Sequence, residues 1–158
     1  MTTDTEITQA LKQLHSQCQT RQLATVDAAG QPDASYAPYV RVAGNYYIFV
    51  SQLAAHTQNL LTQKQASIML IQAEQDAKNL FARMRYTCAC EVADVARTEP
   101  LFNEMIESMQ ERFGGVIELL TSLGDFHLLQ LSPVSGRLVT GFGKAYEMEK
   151  DELLDFFG

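Results

Sequence analysis

Hydrophobic residues recur along this chain in two patterns, one typical of helices and one typical of strands. The clearest change from one to the other lies between Tyr46 and Leu61. Residues 46–50 are all aromatic or β-branched, which predicts a largely buried strand. From Leu53 the apolar positions repeat at helical spacing, which predicts a helix with Ser51 in position to cap its start. We therefore expect a central strand that leads directly into a helix.

The same reasoning predicts elements before and after this junction. Helical spacing predicts helices over residues 3–19, 98–113 and 116–123, with Thr98 as a cap, and a short C-terminal helix from Glu149. Short apolar or alternating runs predict strands over residues 23–26, 34–42, 66–72, 86–96, 126–131 and 137–148, with turns at 27–31, 43–45 and 133–136. Pro38 cannot donate to a strand ladder, so we expect an edge position or a bulge there.

Most of the predicted strands follow one another through hairpins, and the helices are few and scattered. The fold is therefore expected to be mainly β with flanking helices (α+β), with an antiparallel sheet that closes into a small barrel. The length of 158 residues indicates a single domain over residues 1–158. Within it we expect an N-terminal helix (1–20), a barrel with inserted helices (21–148) and a short C-terminal helix (149–158).

Charge and composition narrow the classes of partner. The formal net charge is −7, from 19 acidic and 12 basic residues, which argues against a nucleic-acid partner because such proteins usually present a basic surface. Apolar runs are far shorter than a membrane span and the N-terminus has no signal-peptide pattern, so we expect no membrane partner and a cytoplasmic location. The three cysteines cannot form a disulfide framework. Cys88 and Cys90 share one face of a predicted strand, where we expect buried, reduced thiols and no metal site.

Two groups of polar residues are candidates for binding an anion. The start of the helix after Ser51 offers unpaired backbone N–H groups and a positive dipole end, to which His56 and Thr57 could add donors. The alternative is an ordinary strand–helix junction with polar surface residues. Arg83 and Arg85 stand two positions apart at a strand start, so both can face one anion. The alternative is a pair of solvated arginines that pair with acidic residues elsewhere on the sheet.

At this point several segments resemble a known family. The run SQLAAHTQNL at 51–60 resembles the signature of the haem-utilization (HugZ/HutZ-type) proteins. Those proteins belong to the FMN-binding split-barrel superfamily that includes pyridoxamine 5′-phosphate oxidase. The resemblance continues in SIMLI (67–71), FARMRYT (81–87), ERFGGVIELLTSLGDFHLLQL (111–131) and GRLVTGFGKAY (136–146). It covers most of residues 20–146 in the same order.

The resemblance implies a homodimer of six-stranded antiparallel split β-barrels with a flavin site at the subunit interface. Residues 35–38 would lie along the flavin ring, and the last-strand motif, in which relatives often carry another residue, would place Lys144 near the site. By position in the motifs, the expected FMN-binding residues are Ser35, Tyr36, Ser51, His56, Thr57, Arg83, Arg85 and Lys144.

The expected function is that of an FMN-dependent oxidoreductase of the pyridoxamine 5′-phosphate oxidase type, with no catalytic residue that the sequence can name. The alternatives are a haem-binding protein without flavin turnover and a cofactor-free barrel dimer. Haem-degrading relatives carry their iron-ligating histidine in a C-terminal extension, whereas this sequence has no histidine after His127. We expect His127 to be a packed strand residue, and the apolar stripes at 101–113 and 119–123 to form core or dimer surface.

Overall fold

A computed structural model describes the backbone of residues 2–157 and the side chains of residues 2–153. Within residues 2–157 it contains eight strands and five α-helices. The helices are α1 (Thr3–Gln17), α2 (Ala55–Gln63), α3 (Pro100–Phe113), α4 (Val116–Ser122) and α5 (Lys150–Phe157). The strands are β1 (Thr20–Val26), β2 (Pro32–Pro38), β3 (Val40–Val42), β4 (Asn45–Ser51), β5 (Gln65–Ile71), β6 (Arg85–Val95), β7 (Phe126–Gly141) and β8 (Lys144–Glu149). The predicted C-terminal helix is confirmed as α5, whereas Gly158 lies outside the described residues.

The strands join in one sheet. Hydrogen-bonded neighbours follow the order β2-β1-β5-β6-β7-β4-β3, and β8 pairs with β7. Every pairing between the strands of residues 2–157 is antiparallel. The fold is therefore mainly an antiparallel sheet with flanking helices, as expected. The closed six-stranded barrel is not confirmed, because the sheet has eight strands and its hydrogen-bonded path ends at β2 and β3.

The long strand β7 corrects the prediction for residues 133–148. We expected a turn at 133–136, but β7 runs through this segment. Pro133 pairs with Cys90 at a shift of register, and such an irregularity accommodates a proline because the ladder needs no N–H there. The predicted strand 137–148 is instead divided by a turn at Phe142 and Gly143, where Gly143 has a φ of 66°.

The predicted strand 34–42 is also divided in two. β2 ends at Pro38, and the next residue, Tyr39, leaves the ladder and buries its side chain. The Tyr39 hydroxyl donates to the carbonyl oxygen of Cys18 at 2.8 Å. β2 lies at one end of the strand path, so the edge position predicted for Pro38 is confirmed.

The central strand β4 is buried because it packs on both faces. Tyr46, Ile48 and Val50 point into one apolar cluster, which also contains α1, β1, β5 and β6 side chains. Tyr47 and Phe49 point into a second cluster against α3 and α4. A strand that is covered on both sides has no polar face, which explains the unbroken apolar run. The α3 stripe of Phe102, Met105, Ile106 and Met109 belongs to this second cluster. Of the two alternatives, it is core.

Both predicted helix caps are wrong. Helix α2 begins at Ala55, four residues after Ser51, and its N-cap Ala54 makes no side-chain capping bond. The backbone N–H of Gln52 donates to Asp125 at 2.8 Å, so a turn must separate β4 from the helix. Helix α3 is preceded by Glu99, not capped by Thr98.

No helix in the described part of the chain is long and apolar enough to cross a membrane.

Candidate functional site

Ser51 lies at the last position of β4 and organises the turn that precedes α2. Its hydroxyl oxygen accepts a hydrogen bond from the Leu53 backbone N–H at 3.1 Å. The same hydroxyl lies 3.4 Å from the Asp125 carboxylate, to which it can donate. Ser51 therefore fixes the approach to α2 and leaves the first N–H groups of that helix without a side-chain cap.

His56 and Ser35 are brought together by the packing of α2 beside β2. The Nδ1 atom of His56 lies 2.8 Å from the Ser35 hydroxyl oxygen. Burial lowers the pKa of His56, and the negative charge of Asp33 opposes this only in part. The imidazole is therefore neutral near pH 7. Nε2 makes no hydrogen bond within residues 2–153, so this nitrogen is available to a ligand.

Thr57 follows directly and is fully buried. No partner among the described residues reaches its hydroxyl oxygen. A buried hydroxyl without a partner is uncommon, because each such group costs about 1–3 kcal/mol in lost hydration. Thr57 thus contributes an unused donor and acceptor next to the uncapped start of α2.

A buried pair that the sequence pattern did not indicate begins two residues further along α2. The Asn59 side-chain amide donates to the Thr25 hydroxyl at 3.1 Å, and both side chains are buried. The available signal was position, since Asn59 stands in the same motif as His56 and Thr57. Thr25 gave no signal, because one threonine among alternating strand residues is ordinary.

The two arginines lie elsewhere in the chain. Arg85 pairs with Val139 on β7, whereas Ser51 pairs with Phe126 of the same strand, thirteen positions away. Within one chain, the arginine pair and the Ser51–His56 region therefore do not share a site. The Arg83 guanidinium donates to the Gln72 carbonyl oxygen, and Arg85 donates to the Arg83 carbonyl at 3.1 Å.

Among the described residues, neither Tyr36 nor Lys144 hydrogen-bonds a side chain of α2. Tyr36 is 65% exposed, and it faces away from its neighbour Ser35 because successive strand residues point to opposite sides. Lys144 forms an ion pair with Glu6 of α1 at 3.5 Å. That pair joins β8 to the first helix.

The other two histidines already have partners on both ring nitrogens. His15 uses Nδ1 toward the Leu11 carbonyl and Nε2 toward the Tyr46 hydroxyl, at 2.7 and 2.6 Å. His127 contacts the Gln52 side chain and lies 3.8 Å from the Asp94 carboxylate. His127, expected to be a packed strand residue, is only partly buried and lies between these polar groups. Within residues 2–153, no group of three or more His, Cys, Asp or Glu side chains could hold a metal ion.

The antiparallel sheet with its strand–turn–helix site defines a protein of the pyridoxamine 5′-phosphate oxidase-like fold. Residues 7–140 match the family model described as pyridoxamine 5′-phosphate oxidase. The chain is 44% identical, over 146 residues, to a protein of Vibrio cholerae serotype O1 described as heme oxygenase HutZ, covering 92% of this chain and 83% of that protein. The chain therefore belongs to the pyridoxamine 5′-phosphate oxidase family, among its HutZ-type haem-utilization members, which confirms the resemblance.

Solved structures agree with this assignment. A crystal structure of HutZ, described as the heme storage protein from Vibrio cholerae, superposes with a TM-score of 0.75 at 43% identity, covering 78% of this chain and 87% of that one. Campylobacter jejuni ChuZ gives a TM-score of 0.84 at 28% identity, covering 94% of this chain and 61% of that one. An FMN-binding, pyridoxamine 5′-phosphate oxidase-related protein from Nostoc punctiforme gives 0.62 at 18% identity, covering 90% and 86%, which supports the fold alone.

Proposed function

We propose that this protein binds haem and handles it without flavin turnover. The observation that carries the proposal is the 44% identity to a protein described as heme oxygenase HutZ, spread over 92% of the chain. This similarity is far greater than the 18% identity to the FMN-binding relative. We therefore place haem first and FMN second, which reverses the order that the sequence favoured.

His56 is the described histidine best suited to bind the iron. An iron ligand must be an unprotonated imidazole nitrogen, and such histidines usually hold their other nitrogen in a hydrogen bond. His56 meets both conditions, since burial lowers its pKa and Nδ1 contacts the Ser35 hydroxyl. His15 and His127 would each have to break a contact first. When bound, haem would supply an iron centre and a broad apolar ring, and Ser35 would fix the orientation of the ligating imidazole.

FMN is a second candidate, supported by the polar groups at the start of α2. The unpaired Thr57 hydroxyl and the uncapped N–H groups of α2 are the donors that a phosphate needs. Arg83 and Arg85 of the same chain lie at the start of β6, opposite the far end of β7, and so do not join them. In a homodimer, the arginine pair of one copy would have to face α2 of the other copy.

One titration experiment tests both candidates. The purified protein is titrated with haemin and, separately, with FMN, and the visible spectrum is recorded. We expect a Soret band whose intensity saturates with haemin. His56→Ala should weaken haemin binding at least tenfold and shift the band, because the iron loses its nitrogen ligand, whereas the control His127→Ala should bind as the wild type does. Equal binding and equal spectra for the two variants would exclude His56 as the ligand.

The FMN titration compares substitutions at two threonines of α2, one buried and one exposed. Thr57→Val should weaken FMN binding by about 1–2 kcal/mol and Arg85→Ala by about 1.5–3 kcal/mol if both groups hydrogen-bond the phosphate. Thr62→Val, which changes an exposed position of the same helix, is the control. An unchanged dissociation constant removes the substituted residue from the site. If neither haemin nor FMN binds, the hypothesis of a cofactor-free barrel dimer is favoured.

A further inference from the structure

A charged side chain lies in the middle of the main apolar cluster. Arg21, on β1, is 1% exposed. No carboxylate of residues 2–153 comes within ion-pair distance of its guanidinium group. Its Nε and Nη1 atoms have no hydrogen-bond partner among the described residues. A buried cation without an anion costs several kcal/mol, so some group nearby must offset the charge.

Tyrosine rings surround the guanidinium group but do not supply an anion. Its central carbon lies 3.9 Å from the ring centroid of Tyr46, 5.6 Å from that of Tyr39 and 5.7 Å from that of Tyr86. A desolvated cation–π contact contributes about 2 kcal/mol, which offsets only part of the cost of burial. Burial raises the pKa of Tyr46 to about 12 and also raises the pKa values of Tyr39 and Tyr86. All three hydroxyls are therefore protonated near pH 7.

The remaining acidic partner of Arg21 is a thiol. Nη2 of Arg21 lies 3.7 Å from Sγ of Cys88, and this Sγ lies 3.8 Å from Sγ of Cys90. Both cysteines are buried, and they point inward from alternate positions of β6. The thiolate form of Cys88 would provide the negative charge that Arg21 otherwise lacks.

The other titratable groups around the pair favour the same charge state. Burial raises the pKa of Cys88, but the hydrogen bond with Cys90, the charge of Arg21 and the hydrogen bond with Tyr86 together lower it to about 7. The pKa of Cys90 is raised, first by its bond to Cys88 and then by burial. His15 of α1 also faces the cluster, and burial keeps it neutral.

We propose that Cys88 and Cys90 form a covalent modification site in which the Cys88 thiolate, paired with Arg21, is the nucleophile toward hydroperoxides. The thiolate attacks one peroxide oxygen and breaks the O–O bond, which gives a sulfenic acid on Cys88 and a released alkoxide or hydroxide that takes up a proton. The Cys90 thiol then attacks the Cys88 sulfur, releasing water and closing a disulfide. The two thiols lose two electrons in total, and the peroxide gains them.

The two sulfurs are close but not yet at bonding distance. Their Sγ atoms lie 3.8 Å apart, so forming an S–S bond of about 2.05 Å requires local movement of β6, and the register shift between Ala89 and Cys90 marks where that strand departs from a regular ladder. A cavity of about 510 Å³ has Cys90 in its lining, together with Ala66 and Val134. It gives a small neutral oxidant such as hydrogen peroxide a path to the buried pair.

The test exposes folded protein to hydrogen peroxide, then unfolds it, alkylates the remaining thiols and maps the products by mass spectrometry. We expect a Cys88–Cys90 disulfide, with Cys18 still alkylated. Cys18 is the internal control, since burial raises its pKa. The rate should rise with a midpoint near pH 7, where about half of Cys88 is ionised, against roughly 3% for an ordinary thiol of pKa about 8.5.

Variants separate the roles of the three side chains. Cys90→Ser should stop the reaction at a sulfenic acid on Cys88, which dimedone traps, and Cys88→Ser should leave Cys90 unreactive. Arg21→Met should move the midpoint upward by about one pH unit or more, and the charge-retaining Arg21→Lys should not. If Arg21→Met does not fold, the wild-type pH profile and the two serine variants still test whether Cys88 is the nucleophile. A wild-type midpoint near pH 8.5, or oxidation of Cys18 before Cys88, would overturn the proposal.

Discussion

His15 shows how one buried residue can make the stability of this protein depend on pH. Its Nδ1 donates to the Leu11 carbonyl, so Nε2 must accept the hydrogen bond from the Tyr46 hydroxyl. This arrangement requires a neutral ring. Burial lowers the pKa of His15 to about 3, while the bond to Leu11 opposes the shift and the charges of Arg21, Arg41 and Arg112 add to it. A protonated His15 is therefore strongly disfavoured in the folded protein.

Stability should fall as the pH is lowered from about 7 to 5. The unfolded chain takes up the His15 proton near its ordinary pKa of 6.5, whereas the folded chain does so only near 3. Between these values the unfolded state binds more protons, so the free energy of unfolding should drop by about 2 kcal/mol from pH 7 to pH 5. Urea denaturation at the two pH values measures this difference.

Two variants test whether His15 causes this pH dependence of stability. His15→Gln should be less stable at pH 7 but should lose most of the pH dependence, and His127→Gln should keep it. His56, whose pKa is also lowered by burial, should contribute a smaller share. The same pH dependence in His15→Gln and in the wild type would contradict the assignment to His15.

At the scale of elements, β7 has one position at which the packing leaves no room for a side chain. Gly136 pairs with Cys88 of β6 and with Met148 of β8. A Cβ atom at this position would lie 2.7 Å from Cε1 and 2.9 Å from the hydroxyl oxygen of Tyr86, and 3.2 Å from Leu153 of α5. Tyr86 is fully buried and cannot move aside without disturbing the cluster around Arg21.

Gly136→Ala is therefore expected to destabilise the protein by about 1–3 kcal/mol, as overpacking of a core does. Gly115→Ala, at the start of α4, is the matched control, since a Cβ atom there meets nothing within 4 Å. That change should be neutral or slightly stabilising, because alanine reduces the freedom of the unfolded chain. Thermal or urea denaturation compares the two. Equal stability of both variants would show that the Tyr86 side chain can shift to make room for the added methyl group.

At the scale of the whole molecule, the structure leaves only one of the two apolar stripes, the one on α4, as a candidate dimer surface. The apolar stripe of α3 is covered by β4 within the chain. On α4, in contrast, Val116, Leu119 and Leu123 remain 50–61% exposed along one face. This face is the apolar surface that a second copy of the chain would cover.

A homodimer remains a prediction, and α4 allows a direct test of it. Sedimentation equilibrium should give twice the chain mass of 17.6 kDa. Leu119→Glu should shift the protein toward monomer, because a charge would be buried at the interface. Leu80→Glu, at another exposed apolar position, should leave the mass unchanged. A wild-type monomer at micromolar concentration would contradict the dimer and, with it, a cofactor site shared between subunits.

Much of the fold was predictable from local pattern, and the errors have a common cause. The strand at Tyr46–Val50 and the helix after it were predicted because periodicity and side-chain type belong to neighbouring residues. The turn at 133–136 was wrong because Pro133 and Gly136 are typical of turns, and only the pairing with β6 and β8 keeps them in a strand. Likewise, the cap assigned to Ser51 was wrong because its backbone neighbour Gln52 is held by Asp125, across the sheet.

The sequence by itself determined the identity of most elements and the family, since both depend on residues close together in the chain or in a motif. Only the tertiary structure decided which distant residues meet. It joined Ser35 to His56 across 21 positions and Arg21 to Cys88 across 67, and it separated Arg85 from Ser51. The physical reason is that such contacts depend on strand order and register. A shift of one residue in register turns every side chain to the other face of the sheet.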